Sequence, residues 1–221
     1  MKYFLIFFTF LGSINFLFAA EERSKKIELP DNFVLGDSER GSQLVESCSA
    51  CHGTDGNSIS SDWPKLAGQN QKYLYEQLQY FKDGIRMNAL MMSVTPYLQT
   101  LDNKDLLDIA AFYSDYEITV GQARNDEELL NLGTQLYRFG NMKKGVPACT
   151  SCHAVHGQGN NLAGFPAVAG QQVGYLTSTL KAYRSKERNT GELSEMMQSI
   201  AQNLSDDEID ALANYMHGLY Q

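Results

Sequence analysis

The chain is predicted to be all-α and built as two tandem helical domains, on three observations. Apolar residues recur at helix spacing in both halves, and no convincing strand alternation appears. The chain repeats itself at an offset of about one hundred residues. Each repeat also carries one copy of a five-residue pattern, Cys48-Ser49-Ala50-Cys51-His52 and Cys149-Thr150-Ser151-Cys152-His153, and the two copies use all four cysteines.

The elements follow in order along 221 residues. Residues 1–20 hold one charge, Lys2, then an apolar run from Tyr3 to Phe8, and end in Leu17-Phe18-Ala19-Ala20 before Glu21 and Glu22. That is the layout of an export signal. An uncleaved anchor is the alternative, because Phe18 or Leu17 stands where a cleavage site prefers a small residue. Residues 21–37 form a charged lead-in containing Pro30. No later segment approaches the ~18 consecutive apolar residues of a membrane span. The first domain is placed at 38–120 and the second at 121–221, divided near Glu117 to Asn125, where Gly121 interrupts the apolar pattern and polar residues cluster.

In each domain a first helix is expected to run into the cysteine pattern, from about Ser38 and from about Glu127, with Gly41 and Gly133 letting the domain's last helix come close. The second pattern is preceded by nine extra residues around Arg138 to Pro147. After each pattern, Trp63-Pro64-Lys65-Leu66-Ala67-Gly68-Gln69 matches Phe165-Pro166-Ala167-Val168-Ala169-Gly170-Gln171. An amphipathic helix then carries Leu74, Leu78, Phe81 and Ile85 in the first half and Leu176, Leu180 and Tyr183 in the second. The last helices open with the capping pairs Asp102/Asp105 and Ser205/Glu208. Their apolar faces are Leu106-Ile109-Ala110-Tyr113 and Ile209-Leu212-Ala213-Met216.

The whole chain has 18 basic and 26 acidic side chains; without residues 1–20 the balance is 17 to 26, a net charge of −9. Such an excess of negative charge repels polyanions, so nucleic acid is not an expected partner.

In C-x-x-C-H the two thiols are spaced to form thioethers with the two vinyl groups of one haem, and the adjoining histidine presents its imidazole to the iron. Two copies imply two covalently bound haem c groups, one at Cys48, Cys51 and His52 and one at Cys149, Cys152 and His153. A four-thiolate zinc site and a disulfide framework are the alternatives. The histidine directly after each pair, and the 97 residues between the pairs, favour haem. For the second axial position, five of the eight methionines fall in two clusters at equivalent places in the repeats, Met87, Met91 and Met92, then Met196 and Met197. These segments lack good helical spacing, unlike Met216, which is read as core packing. His156 and His217 are read as surface residues, and Trp63 and the tyrosines as lining haem pockets or the domain interface.

Residues 38 to 221 resemble the dihaem cytochrome c4 family, a fusion of two class I cytochrome c domains. The carriers of the resemblance are the two C-x-x-C-H motifs, Pro64 to Gln69, Pro147-Ala148-Cys149-Thr150, and Leu162-Ala163-Gly164-Phe165-Pro166. The resemblance implies two cytochrome c-like helical domains, each wrapped around one covalent haem. It implies a sixth ligand eight residues before the serine that opens the last helix, which is Met197 counted from Ser205. The first domain departs from this spacing by about two residues, since the same count from Asp102 reaches Val94; Met92 is the expected ligand there, with Met91 behind it. The resemblance further implies that the carbonyls of Pro64 and Pro166 accept the imidazole N–H of His52 and His153, the alternative being two prolines that only rigidify a turn.

The implied function is that of a periplasmic electron carrier, not an enzyme. It would pass single electrons between a membrane quinol-oxidising complex and a terminal oxidase or reductase, with redox proteins and no small molecule as partners. Membrane association is expected if residues 1–20 are retained. The alternative is a haem-bearing subunit of a dehydrogenase complex such as a flavocytochrome. A dihaem peroxidase needs an exchangeable axial position, against which two methionine clusters argue.

Overall fold

A computed structural model describes residues 35–220. The expected export signal at 1–20 and most of the charged lead-in lie outside the described residues. The first half holds α1 (Ser38–Ser42), α2 (Glu46–His52), α3 (Gln71–Lys82), α4 (Thr95–Leu98) and α5 (Asn103–Ser114). The second holds α6 (Glu127–Phe139), α7 (Thr150–His153), α8 (Val173–Arg184), α9 (Glu192–Ala201) and α10 (Asp206–His217). Single 3-10 turns stand at Met91–Ser93 and Met142–Lys144. Among the described residues there is no strand, only the isolated bridges Asn141–Val146 and Asn160–Phe165, so the protein is all-α as expected. No described helix is long and apolar enough to cross a membrane.

Each half buries its own core. Leu74, Tyr75, Phe81, Leu98, Leu106, Ile109 and Tyr113 form one; Leu136, Tyr137, Leu176, Leu180, Ile209, Leu212 and Met216 form the other. Most belong to the apolar faces of the amphipathic and terminal helices, three and four residues apart and turned toward each other, with Leu98 added from α4 and Leu136 and Tyr137 from α6. Both terminal helices start with complete capping boxes, Asp102 with Asp105 and Ser205 with Glu208. Each box satisfies two backbone N–H groups at the helix start, those of the N-cap and of the third helical residue, by contacts within four residues.

The glycines set how closely the first and last helices meet. A Cβ on Gly41 would lie 2.1 Å from the carbonyl oxygen of Asp108 on α5, and one on Gly133 would lie 2.4 Å from that of Ala211 on α10. Beside the first crossing, the Asp108 carboxylate accepts the Asp37 N–H at 2.7 Å and Lys104 Nζ at 2.9 Å, and pairs with Arg40, which also reaches Asp105. Burial alone would raise the Asp108 carboxyl, but the Asp37 N–H and the two cations overcome it and hold it below the usual carboxylate range.

Three expectations are corrected. The first helix does not run unbroken into either cysteine pattern. In the first half it breaks at Gln43, before α2 starts after Val45. In the second, α6 stops at Gly140, whose φ of 70° only glycine adopts freely, and the extra residues loop through Met142–Lys144 to bury Val146 ahead of Cys149. The second methionine cluster lies on α9, a regular helix that places Leu193, Met197 and Ile200 on one side; flanking polar residues had hidden that period. His217 is not a surface residue either. It is half-buried, its Nδ1 bonds the Gln171 carbonyl at 2.9 Å, and its ring packs against Gly121, so the segment between the halves is pinned to the end of α10.

Candidate functional site

The two cysteine patterns open onto one continuous cavity of about 690 Å³, lined by Cys48, Cys51 and His52 at one end and Cys149, Cys152 and His153 at the other. Its walls are the inner faces of the helices, including Leu74, Phe81, Leu98, Leu176, Leu180 and Leu212. Trp63 and several tyrosines also line it, as expected.

At each end a histidine closes the last turn of a helix and is tied from behind. His52 Nδ1 lies 2.8 Å from the carbonyl oxygen of Pro64, and His153 Nδ1 lies 2.9 Å from that of Pro166. A carbonyl only accepts, so Nδ1 carries the proton and Nε2 keeps its lone pair for a metal. Burial lowers both imidazoles below the ordinary histidine range, against a smaller opposing effect of the carbonyl, which keeps them neutral as ligation requires. The prolines therefore do more than rigidify a turn.

No disulfide joins the four cysteines, so the disulfide framework is not formed. Among the described residues no cluster of three or more histidine, cysteine or acidic side chains could hold a metal ion. The two pairs stay in separate halves and do not assemble the four-thiolate zinc alternative.

Across the cavity, the methionines are sorted by their backbone. Met197 lines it from α9, packed on the second core. In the first half, Met91, Val94 and Leu98 stand three and seven residues apart on one side of the 3-10 turn and α4, and all three line the cavity. Met92 is 54% exposed and does not line the cavity. Met91 faces the cavity and Met92, the ligand expected from sequence, faces solvent, because the turn rotates adjacent side chains by about 120°.

Sequence reasoning missed Arg86 and Arg188. Both are half-buried on the cavity wall, and among the described residues neither pairs with a carboxylate. Arg188 Nη2 donates to Tyr73 Oη at 2.6 Å and to Gln77 Oε1 at 3.3 Å; Arg86 donates to Gln77 Oε1 at 2.8 Å and to Tyr175 Oη at 3.4 Å. Burial would raise the Tyr175 phenol, yet Arg188 and Arg86 overcome it and bring it down to about 7. The signal was present in the repeat, since Tyr73 and Arg86 recur as Tyr175 and Arg188 at one offset. Two unneutralised guanidiniums, two lone-pair imidazoles, paired thiols and apolar walls fit a flat apolar ring with an anionic edge, which is haem.

Comparison with known proteins agrees. The family described as cytochrome c matches residues 38–114 and 132–219. Cytochrome c4 from Stutzerimonas stutzeri is 41% identical over 191 residues, covering 84% of this chain and 90% of that protein. A thiosulfate dehydrogenase electron acceptor from Thiomonas intermedia is 32% identical over 180 residues, covering 77% of each. The crystal structure of reduced recombinant cytochrome c4 from Pseudomonas stutzeri superposes with a TM-score of 0.78 at 42% identity, covering 84% of this chain and all of that one. With a cytochrome c domain and a C-x-x-C-H site in each half, the protein carries two covalently bound haem c groups. The chain is a dihaem electron-transfer protein and belongs to the cytochrome c4 family.

Proposed function

We propose that the protein is a periplasmic carrier that passes single electrons between a membrane quinol-oxidising complex and a terminal oxidase or reductase. Cys48 and Cys51 would attach one haem and Cys149 and Cys152 the other. The axial pairs would be His52 with Met91 and His153 with Met197. The observation that carries this reading is the single cavity with a carbonyl-tied histidine and an inward methionine at each end. When bound, each haem iron cycles between ferric and ferrous and so holds one electron.

The chain's own residues set the conditions for that exchange. Pro64 and Pro166 fix the imidazole planes and keep the metal-binding nitrogen unprotonated. Thioether sulfur is a weak, soft donor that favours the ferrous state, so methionine ligation would place both potentials above those of a bis-histidine site. Leu74, Leu98, Leu176 and Leu212 exclude water and would disfavour the extra charge of ferric iron. Arg86 and Arg188 would take the anionic edges of the two haems.

A second reading, the electron-accepting partner or subunit of a dehydrogenase, is supported by the similarity to a thiosulfate dehydrogenase electron acceptor. Purification from periplasm and membranes, with identification of what co-purifies, separates the two. A quinol-oxidising complex or an oxidase that exchanges electrons with the purified protein supports the first reading. A dehydrogenase that reduces it, with no exchange with respiratory complexes, overturns it. A peroxidase role would require hydrogen peroxide to displace an axial methionine.

A further inference from the structure

The peptide group that holds each histidine is itself held by the other domain. In the first half, the Pro64 carbonyl takes His52 Nδ1–H, and the N–H of the same peptide unit, that of Lys65, donates to Gln171 Oε1 at 2.8 Å. Gln171 Nε2 donates back to the Lys65 carbonyl at 2.9 Å. The second half mirrors this. The Pro166 carbonyl takes His153 Nδ1–H, the Ala167 N–H donates to Gln69 Oε1 at 2.8 Å, and Gln69 Nε2 donates to the Ala167 carbonyl at 2.9 Å. Gln69 is 6% exposed and Gln171 is 4% exposed. Each amide faces an N–H and a C=O of one residue, so only one orientation satisfies both.

A peptide group is conjugated from nitrogen to oxygen. An acceptor on its N–H moves electron density toward its carbonyl oxygen, and hydrogen bonds in such a chain strengthen one another. The sequence of groups is glutamine oxygen, peptide N–H, peptide carbonyl, imidazole N–H. A stronger acceptor at Nδ1–H gives the imidazole more anionic character and makes Nε2 a better donor, which stabilises ferric over ferrous iron.

We propose that Gln69 and Gln171 are positioning residues that tune the haem of the opposite domain: Gln171 acts through the Pro64–Lys65 peptide on His52, and Gln69 through the Pro166–Ala167 peptide on His153. This rests on the reading of His52 and His153 as iron ligands. It makes the domain contact part of the redox machinery, because each haem's potential depends on how well the partner domain is docked.

The test uses the two-haem protein and the variants Gln171→Leu, Gln69→Leu, Gln171→Glu and Gln69→Glu. The potential of each haem is followed by stepwise redox titration with NMR assignment, together with the Nδ1–H resonance of each histidine in the reduced protein. Gln171→Leu is expected to raise the potential of the haem at Cys48 and Cys51 and to move the His52 Nδ1–H resonance upfield, with the other haem unmoved. Gln69→Leu is expected to do the same at Cys149 and Cys152. The glutamates, as stronger acceptors, are expected to move both readouts the opposite way. Should a leucine variant lose a haem or its fold, the glutamate variants decide. Equal shifts at both haems, shifts in the mutated residue's own domain only, or no shift with the histidines coordinated would overturn the inference. Wild-type spectra without histidine coordination would instead overturn the ligand reading beneath it.

Discussion

Arg188 in the second domain donates to the phenol oxygen of Tyr73 in the first, across 2.6 Å. Its repeat partner Arg86 donates the other way, to Tyr175 at 3.4 Å. Each guanidinium also covers an aromatic ring of its own half, Arg188 over Tyr183 at 4.8 Å and Arg86 over Phe81 at 4.5 Å. Two cations converge on the seam of the cavity, and among the described residues neither pairs with a carboxylate. A positive charge there disfavours ferric iron. At about 10 Å and an effective dielectric of about 20, one charge is worth about 1.7 kcal/mol. Arg188→Gln is therefore expected to lower the haem potentials by tens of millivolts, read by spectroelectrochemical titration. A raised or unchanged potential would show that the guanidinium charge does not reach the irons.

The two methionines of the first cluster separate cleanly by mutation. Met91 faces the cavity and Met92 is exposed, so Met91→Ala is expected to abolish the sulfur-to-iron charge-transfer band of one oxidised haem, while Met92→Ala leaves it intact. Met197→Ala is expected to abolish the band of the other haem. Loss of the band in Met92→Ala with retention in Met91→Ala would return the ligand to the residue favoured by sequence spacing.

The crossing of α1 and α5 tolerates nothing larger than hydrogen at Gly41. Its added methyl would meet Asp108 O at 2.1 Å and the adjoining carbonyl carbon at 2.6 Å, both rigid backbone atoms. Gly41→Ala is expected to destabilise the first domain by about 1–3 kcal/mol, the usual range for overpacking, with a melting temperature lower by several degrees. Gly84→Ala has nothing within 4 Å but forces a φ of 69° on alanine, so its loss should be smaller, about 1 kcal/mol. Calorimetry of the holo-protein checks the order.

Asp108 makes the same crossing acid-sensitive. Its carboxyl is depressed in the folded state, so it binds its proton less readily than in the unfolded chain. The stability it contributes is complete above the unfolded value of ~3.9 and is lost as pH falls through the lower folded value. Asp108→Asn is expected to reduce stability at neutral pH and to flatten its dependence between about pH 5 and 2. Denaturant melts across that range measure both; an unchanged slope would mean the carboxylate is not the acid-labile group.

What the sequence disclosed follows from the range of each interaction. Capping boxes, amphipathic faces and the C-x-x-C-H ligands are local, set within four residues, and Asp102/Asp105, Leu106/Ile109 and His52 were legible for that reason. Gly41 and Gly133 were legible because the repeat marks them twice. The choice between Met91 and Met92 turns on the rotation of one 3-10 turn, which spacing to Asp102 does not encode. The His217 contact joins residues 46 apart, and the Gln171–Lys65 pairing joins residues 106 apart. Such long-range polar contacts have no local period, and only the repeated Gly-Gln after each proline hinted that the glutamines share a task.

The charge distribution predicts a direction for the electron within the molecule. Residues 38–120 carry 6 basic and 11 acidic side chains, net −5, whereas residues 121–221 carry 8 and 10, net −2. Two of the 8 cations on the second side, Lys143 and Lys144, stand in the loop ahead of Cys149, and Lys144 is engaged with Glu208 at 2.5 Å. Negative charge stabilises ferric iron, so the haem at Cys48 and Cys51 should have the lower potential. Three extra charges at ~15 Å in water amount to about 0.8 kcal/mol unscreened, roughly 35 mV for one electron, and physiological salt reduces this several-fold. Arg86 and Arg188 lie on the seam between the sites and act on both, so they do not reverse the difference. An electron entering at the first haem would then come to rest on the second. Stepwise reduction with assignment of each haem's methyl resonances decides the order, and low salt should widen the gap. If the haem at Cys48 and Cys51 is reduced first, local ligand and pocket effects outweigh the net charge.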